Sequence, residues 1–155
     1  MIDDCIIDDR PLSYDPVINE IQFPFLEEQI INNPDKYYSS KKSVFYKRSL
    51  IQQVSPIIIK SKQLEQLKEI AQIFKINHTN FKIVISPLYD QIKLNHKDLE
   101  LLLSIFGEKS VFDYSGINDI TSNKLNYYES SHYRLLVARL ILLEIYKNEP
   151  LANNK

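Results

Sequence analysis

Apolar side chains recur at helical spacing along the second half of this chain, and short unbroken apolar runs separate the helical stretches. Leu64, Leu67, Ala71 and Phe74 share one stripe and predict a helix over about 61–76. Leu99, Leu102, Leu103 and Phe106 follow i, i+3, i+4, i+7 spacing and predict another. Asn95 is its N-cap, Asp98 takes the capping-box position usually held by Glu, and Gly107 is its stop. A last helix is expected over about 132–147, capped by Ser131. It is apolar nearly all round (Leu135, Leu136, Val137, Ala138, Leu140, Ile141, Leu142, Leu143, Ile145), so deep packing is expected. Residues 81–87 and 110–114 read as short buried strands, the first stopped by Pro87. One further helix is expected from Ser43 to about Gln53, with Val44, Ile51 and Val54 on one side and Pro56 beyond its end.

Helix, strand, helix, strand, loop and helix in that order imply right-handed crossovers and two adjacent parallel strands. A parallel sheet is normally covered on both faces and needs more strands than two. The expected fold class is therefore α/β: a partial three-layer α/β/α arrangement, helix-rich, with few parallel strands. Residues 1–42 read as an irregular arm, acidic and then basic. Residues 1–28 carry eight acids against Arg10 alone, and residues 36–48 carry five bases and no acid. Prolines 11, 16, 24 and 34 punctuate the arm, leaving room for one short helix near 25–31. Residues 43–148 form the α/β part, and 149–155 a disordered tail.

Composition narrows the function classes. A net charge of −1 gives no global attraction to nucleic acid or acidic membranes, and the single Cys5 excludes an internal disulfide and a cysteine-based zinc site. With only Gly107 and Gly116, there is no glycine-rich phosphate loop and no Gly-x-Ser-x-Gly elbow. The acidic start Met1-Ile2-Asp3-Asp4 does not read as a signal peptide, and no apolar run approaches the roughly 20 residues of a membrane span. Taken alone, the chain is expected in the cytoplasm. His78, His96 and His132 are far apart in sequence, so neither a metal nor a cofactor is expected. Tyr37, Tyr38 and Tyr46 interleave with Lys36, Lys41, Lys42, Lys47 and Arg48, a mixture able to stack bases and meet phosphates. Without an overall basic charge or an accompanying binding signature, this patch reads as a solvated face, and nucleic acid is not favoured.

The candidate chemistry lies in Tyr127-Tyr128-Glu129-Ser130-Ser131-His132-Tyr133-Arg134, which runs into the last helix. A carboxylate three residues before a histidine suits a hydrolase: it fixes the imidazole tautomer, and the other ring nitrogen takes a proton from a serine. In the plainer alternative His132 occupies a first helical turn and bonds water, with Glu129 favouring the positive helix end.

Residues 60–146 resemble the C-terminal part of SGNH-hydrolase-like proteins, the GDSL esterase and O-acetyltransferase group. The resembling residues are Ile83-Val84-Ile85-Ser86-Pro87, Phe112-Asp113-Tyr114-Ser115-Gly116 and the Tyr-Tyr-Glu-Ser-Ser-His-Tyr-Arg block, which matches the family's Asp-x-x-His motif before the final helix. The resemblance implies that His132 is the general base and Glu129, in place of the family's Asp, its orienting carboxylate. Asp113 and Asp119 are fallback partners, and Tyr128, Tyr133 and Ser86 are candidates for lining a substrate pocket. It implies ester hydrolysis or O-acyl transfer on an acylated saccharide through an acyl-serine, in proteins often membrane-anchored or periplasmic. The nucleophile is not found: Ser13, Ser39, Ser40 and Ser55 lack the preceding strand and glycine of a Gly-Asp-Ser turn. Gly116-Ile117-Asn118-Asp119 spells the family's oxyanion block but lies too close to the histidine, and reads as turn geometry. The expectation is a C-terminal portion without turnover of its own, completed by an N-terminal segment or a second chain, or else a non-catalytic binding module.

Overall fold

The computed structural model describes residues 20–147 and the short strands at 6–7, 10–11 and 13–15. The tail expected at 149–155 lies outside the described residues, as do parts of the N-terminal arm. The chain forms two compact units, residues 1–46 and 47–155.

In the first unit β1 (Ile6–Ile7) pairs antiparallel with β2 (Arg10–Pro11), and β3 (Ser13–Asp15) with β4 (Glu20–Gln22). Helices α1 (Pro24–Asn32) and α2 (Pro34–Ser40) follow. Each begins on a proline, which suits a first helical position because the N–H it lacks has no partner there. Asn33 separates the helices, and its side chain accepts the Lys36 N–H at 2.9 Å. Helix α1 contains the short helix expected at 25–31, whereas α2 occupies sequence that reads as irregular. Tyr37 and Tyr38 are buried; Tyr38 packs edge-on against both Tyr37 and Phe45, at 5.0 and 4.8 Å. Those two rings of the basic–aromatic patch are engaged in packing.

The second unit is mixed α/β. Its elements are β5 (Gln53–Val54), α3 (Ser61–Ile76), β6 (Ile83–Ile85), β7 (Ile92–Lys93), α4 (His96–Phe106), β8 (Val111–Asp113), α5 (Asp119–Ser122) and α6 (Leu135–Ile145). Strands β6 and β8 are parallel, with Ile83, Val84 and Ile85 opposite Val111, Phe112 and Asp113. A second parallel pair joins β5 to β7. Alternation along β6 and β8 sends side chains to opposite faces. Ile83, Ile85 and Val111 join Leu67, Phe74, Leu102 and Phe106 of α3 and α4. Val84, Phe112 and Tyr114 join Val137, Ile141 and Ile145 of α6. The sheet is thus sandwiched between helices from both sides, as the order of elements predicts.

Helices α3 and α4 lie where the apolar spacing puts them, and Gly107, at φ +86°, ends α4 in a backbone conformation suited to glycine. Asn95 caps α4 through the Lys97 N–H at 3.0 Å. Asp98 does not close a capping box. It is fully buried and its carboxylate accepts the N–H groups of Ile58 and Ile59 at 2.8 and 3.1 Å, pinning the segment before α3.

Two helical expectations fail. Residues 43–53 form no helix: a turn follows α2, and Ile51 and Val54 are exposed. The segment is held instead by side chains reaching distant loops, with Arg48 donating to the carbonyls of Tyr89, Thr121 and Ser122, and Gln52 to that of Gln91. Helix α6 starts at Leu135 with Arg134 at its N-cap; neither His132 nor Ser131 belongs to it. Nor is α6 packed all round. Val137, Ile141 and Ile145 are buried, whereas Leu136, Leu140, Leu142 and Leu143 are exposed, because the two-strand sheet offers one narrow face to cover.

Candidate functional site

Residues 126–134 form a tight return between a 3₁₀ turn (Lys124–Asn126) and α6. Tyr127 and Tyr133 make an antiparallel bridge, the Tyr128 N–H donates to the His132 carbonyl at 2.9 Å, and the Arg134 N–H to the Asn126 carbonyl at 2.7 Å. These cross-bonds leave Glu129, Ser130, Ser131 and His132 at the tip. The return is tied at its base and its tip to the loop that leaves the carboxyl end of β6. The wholly buried Tyr127 donates its hydroxyl to the Pro87 carbonyl at 2.8 Å, and the Tyr89 N–H donates to the Ser130 carbonyl at 3.1 Å. Tyr127 and Tyr89 also meet edge-on at 5.6 Å. Burial pushes the Tyr127 phenol up, so it is held as a neutral donor. The tip therefore lies beside the C-terminal end of a parallel strand, where ligands of open α/β sheets bind.

At the tip, His132 Nδ1 is hydrogen-bonded to Glu129 Oε1, and Ser131 Oγ donates to that same oxygen at 2.6 Å. Ser131 Oγ is also 3.3 Å from His132 Nδ1. With a carboxylate on Nδ1, that nitrogen carries the proton of the neutral ring and Nε2 presents a lone pair. Nε2 has no partner among the described residues, and the His132 side chain is 68% exposed. Chemically this is an oriented carboxylate–imidazole pair able to accept a proton at Nε2. Ser131 lies on the Nδ1 side, with its hydroxyl engaged by Glu129, and is not positioned to serve as a nucleophile for Nε2.

The other sequence candidates are placed elsewhere. Asp113 binds Lys93 Nζ through Oδ2 at 2.8 Å and accepts the Ser115 hydroxyl and N–H on Oδ1 at 2.5 and 2.9 Å. Ser115 Oγ in turn accepts the Leu94 N–H at 2.9 Å, so this cluster fastens the end of β8 to the end of β7. Asp119 is exposed at the first position of α5. Neither acid has a hydrogen bond or ion pair to His132. Tyr128 is buried and Tyr133 packs against the core under α6, so both rings are engaged in packing; Ser86 is half-buried in the loop after β6. Gly116 adopts φ +82°, and Asn118 caps α5 by accepting the Thr121 N–H at 3.0 Å while donating to the Tyr114 carbonyl at 2.8 Å. The Gly-Ile-Asn-Asp letters thus build a turn.

Sequence reasoning missed the platform under the tip. Arg48 stacks its guanidinium 4.0 Å from the Tyr89 ring centre while bonding three carbonyls. Gln91, at φ +60° and buried, donates to Thr121 Oγ1 and Ser122 Oγ at 3.3 and 3.4 Å. No local sequence signal marks this platform, because Arg48 is what a solvated helix face would carry and its partners lie 41 to 74 residues away. A cleft of about 870 Å³ beside α3 and α4, lined by Lys68, Phe74, Lys75, His78 and Phe81 among others, includes no residue of 127–134. Among the described residues no three His, Cys, Asp or Glu are grouped to hold a metal ion, and no helix is long and apolar enough to cross a membrane. No family model matches the chain, and neither a curated protein nor a solved structure matches it.

Proposed function

We propose that this chain is the C-terminal portion of an SGNH-hydrolase-like esterase or saccharide O-acyltransferase, in which Glu129 and His132 supply the orienting carboxylate and the general base. One observation carries the reading: the Glu129 carboxylate sits on His132 Nδ1, leaving an exposed Nε2 beside the carboxyl end of β6. In the reaction, Nε2 accepts the proton of a serine hydroxyl as its oxygen attacks the ester carbonyl. The imidazolium, steadied by Glu129, then returns the proton to the leaving alkoxide, and an acyl-serine remains for water or a sugar hydroxyl. The serine comes from outside the 155 residues, from an upstream segment or a complementing chain. The isolated chain is accordingly expected to give no burst on activated acetyl esters.

The competing reading is a binding module without turnover, which the lack of any hydroxyl facing Nε2 among the described residues favours. Capture of the endogenous protein through a peptide of α6, after treating the cells with a fluorophosphonate probe, separates the two. Expected is probe on a product heavier than 18.3 kDa or on a co-captured chain, and its loss in His132→Ala. An unlabelled product of 18.3 kDa, captured alone, sinks the acyl-transfer reading and leaves the binding module.

A further inference from the structure

Helix α6 carries two apolar seams. The inner one, Val137, Ile141 and Ile145, covers the sheet. The outer one, Leu136, Leu140 and Leu143, runs along the flank beside it with exposures of 38, 54 and 71%. A solvent-facing helix side is normally polar, so a second leucine seam marks a surface that meets something. Its spacing suits a helix-on-helix contact. Leu136, Leu140 and Leu143 fall on heptad positions d, a and d, the seam of a coiled coil. In that register Arg139 is a g position and Glu144 the following e position, one on each side of the seam. Both side chains are exposed; Arg139 makes no ion pair with a described residue, and Glu144 has the Tyr114 hydroxyl of its own chain nearby.

We propose that α6 is a self-association surface, and that a second copy of this chain packs on it with its own α6 parallel. The charges select that occupant and that direction. In a parallel pair each g residue faces the e residue five places on in the partner helix, so Arg139 meets Glu144 of the second copy, and the two-fold axis repeats the contact. An antiparallel pair brings g against g and e against e, setting Arg139 beside Arg139 and Glu144 beside Glu144, which repel. The outer seam is therefore complementary to itself in one orientation. Less than two heptads of helix give a contact well below the roughly 800 Å² per partner of a standard interface. The dimer is accordingly weak. The same parallel arrangement places the two Glu129–His132 turns, just ahead of each α6, at one end of the assembly.

Sedimentation equilibrium of the full chain from about 10 µM to about 1 mM, with the 1.4 kcal/mol per tenfold conversion, reads the effect. Expected is a concentration-dependent monomer–dimer equilibrium that weakens by about tenfold or more in Arg139→Glu and in Glu144→Arg, each of which sets like charges face to face. The double reversal Arg139→Glu/Glu144→Arg restores the pair, and mixing the two single variants yields a heterodimer, which also shows that both are folded. Leu140→Asp, at an exposed position away from the inner seam, abolishes association. A wild-type monomer at 1 mM overturns the proposal. So does a dimer indifferent to Arg139→Glu, or a double reversal that stays monomeric while its circular dichroism matches wild type.

Discussion

Asp98 offers the sharpest test of how the α/β unit is held. Its carboxylate is wholly buried at the third position of α4 and accepts two backbone N–H groups, from Ile58 at 2.8 Å and Ile59 at 3.1 Å. Hydrogen bonds to a charged acceptor contribute about 1.5–3 kcal/mol each, and an acid in the first turn of a helix adds about 0.3–1 kcal/mol. Relief of the buried charge's desolvation offsets part of this. The net expectation for Asp98→Ala is a loss of about 3–5 kcal/mol, a large share of the roughly 5–15 kcal/mol that stabilises a domain. Asp98→Asn is nearly isosteric but keeps one acceptor; its amide N–H₂ then confronts the other backbone donor, so about 2–4 kcal/mol is lost. Urea unfolding followed by far-UV circular dichroism measures both, with exposed Glu100→Gln on the same helix as a control expected within about 0.5 kcal/mol of wild type. Amide exchange at Ile58 and Ile59 should accelerate in both Asp98 variants. If Asp98→Asn unfolds within about 0.5 kcal/mol of wild type and those amides stay protected, the carboxylate is not what pins this segment.

Gly116→Ala should destabilise by about 1–3 kcal/mol in the same assay. Its φ is +82°, and the added Cβ comes within 2.7 Å of Gln52 Oε1, the acceptor for the Ile117 N–H. Burial, with Glu144 nearby, pushes the Tyr114 phenol up to about 12. A raised folded value means that the neutral form stabilises the fold below about pH 10 and that this contribution is lost as pH rises from about 10 through 12. Tyr114→Phe should flatten that alkaline decline in a pH series of thermal melts; an unchanged slope argues against it. In Glu129→Ala, imidazole ¹⁵N shifts near about pH 8 should show His132 losing its Nδ1–H preference. Identical tautomer populations in both proteins would mean that the carboxylate does not orient the ring.

The helices that were legible in the sequence are those whose burial is local and one-sided. Leu64, Leu67, Ala71 and Phe74 have neighbours on a single sheet face, so periodicity places α3 at Ser61–Ile76. The start of α6 was misplaced because Ser131 and His132 carry a helix-opening pattern, yet the bond from Tyr128 N–H to the His132 carbonyl folds them into the preceding return. The segment 43–53 misled for a longer-range reason. Val44, Ile51 and Val54 mimic a helical stripe, while Arg48 and Gln52 find carbonyl partners that only the tertiary structure supplies. Asn33-Pro34, a cap followed by a first-position proline, announces α2, but prolines 11, 16, 24 and 34 together invite reading the arm as irregular apart from one short helix near 25–31. At the site, the Glu129–His132 pairing follows from spacing alone. That Tyr128 and Tyr133 are engaged in packing does not, since an aromatic beside a motif reads equally as wall or as core.

The Arg48 clamp also favours an order of assembly. Its bonds to Tyr89, Thr121 and Ser122 bridge 41, 73 and 74 residues of chain. The β6–β8 ladder closes over a shorter separation, from residues 83–85 to 111–113, with α4 already forming between them. Loop-closure entropy grows slowly with the length spanned, so the β6–β8 pair with α4 is expected to gather before the bonds from Arg48 to Thr121 and Ser122 close the platform beneath His132. Opening runs the other way. The first partly unfolded state should keep its layers while the tip loses the loop that holds it, so the proton-accepting geometry lapses before the fold does.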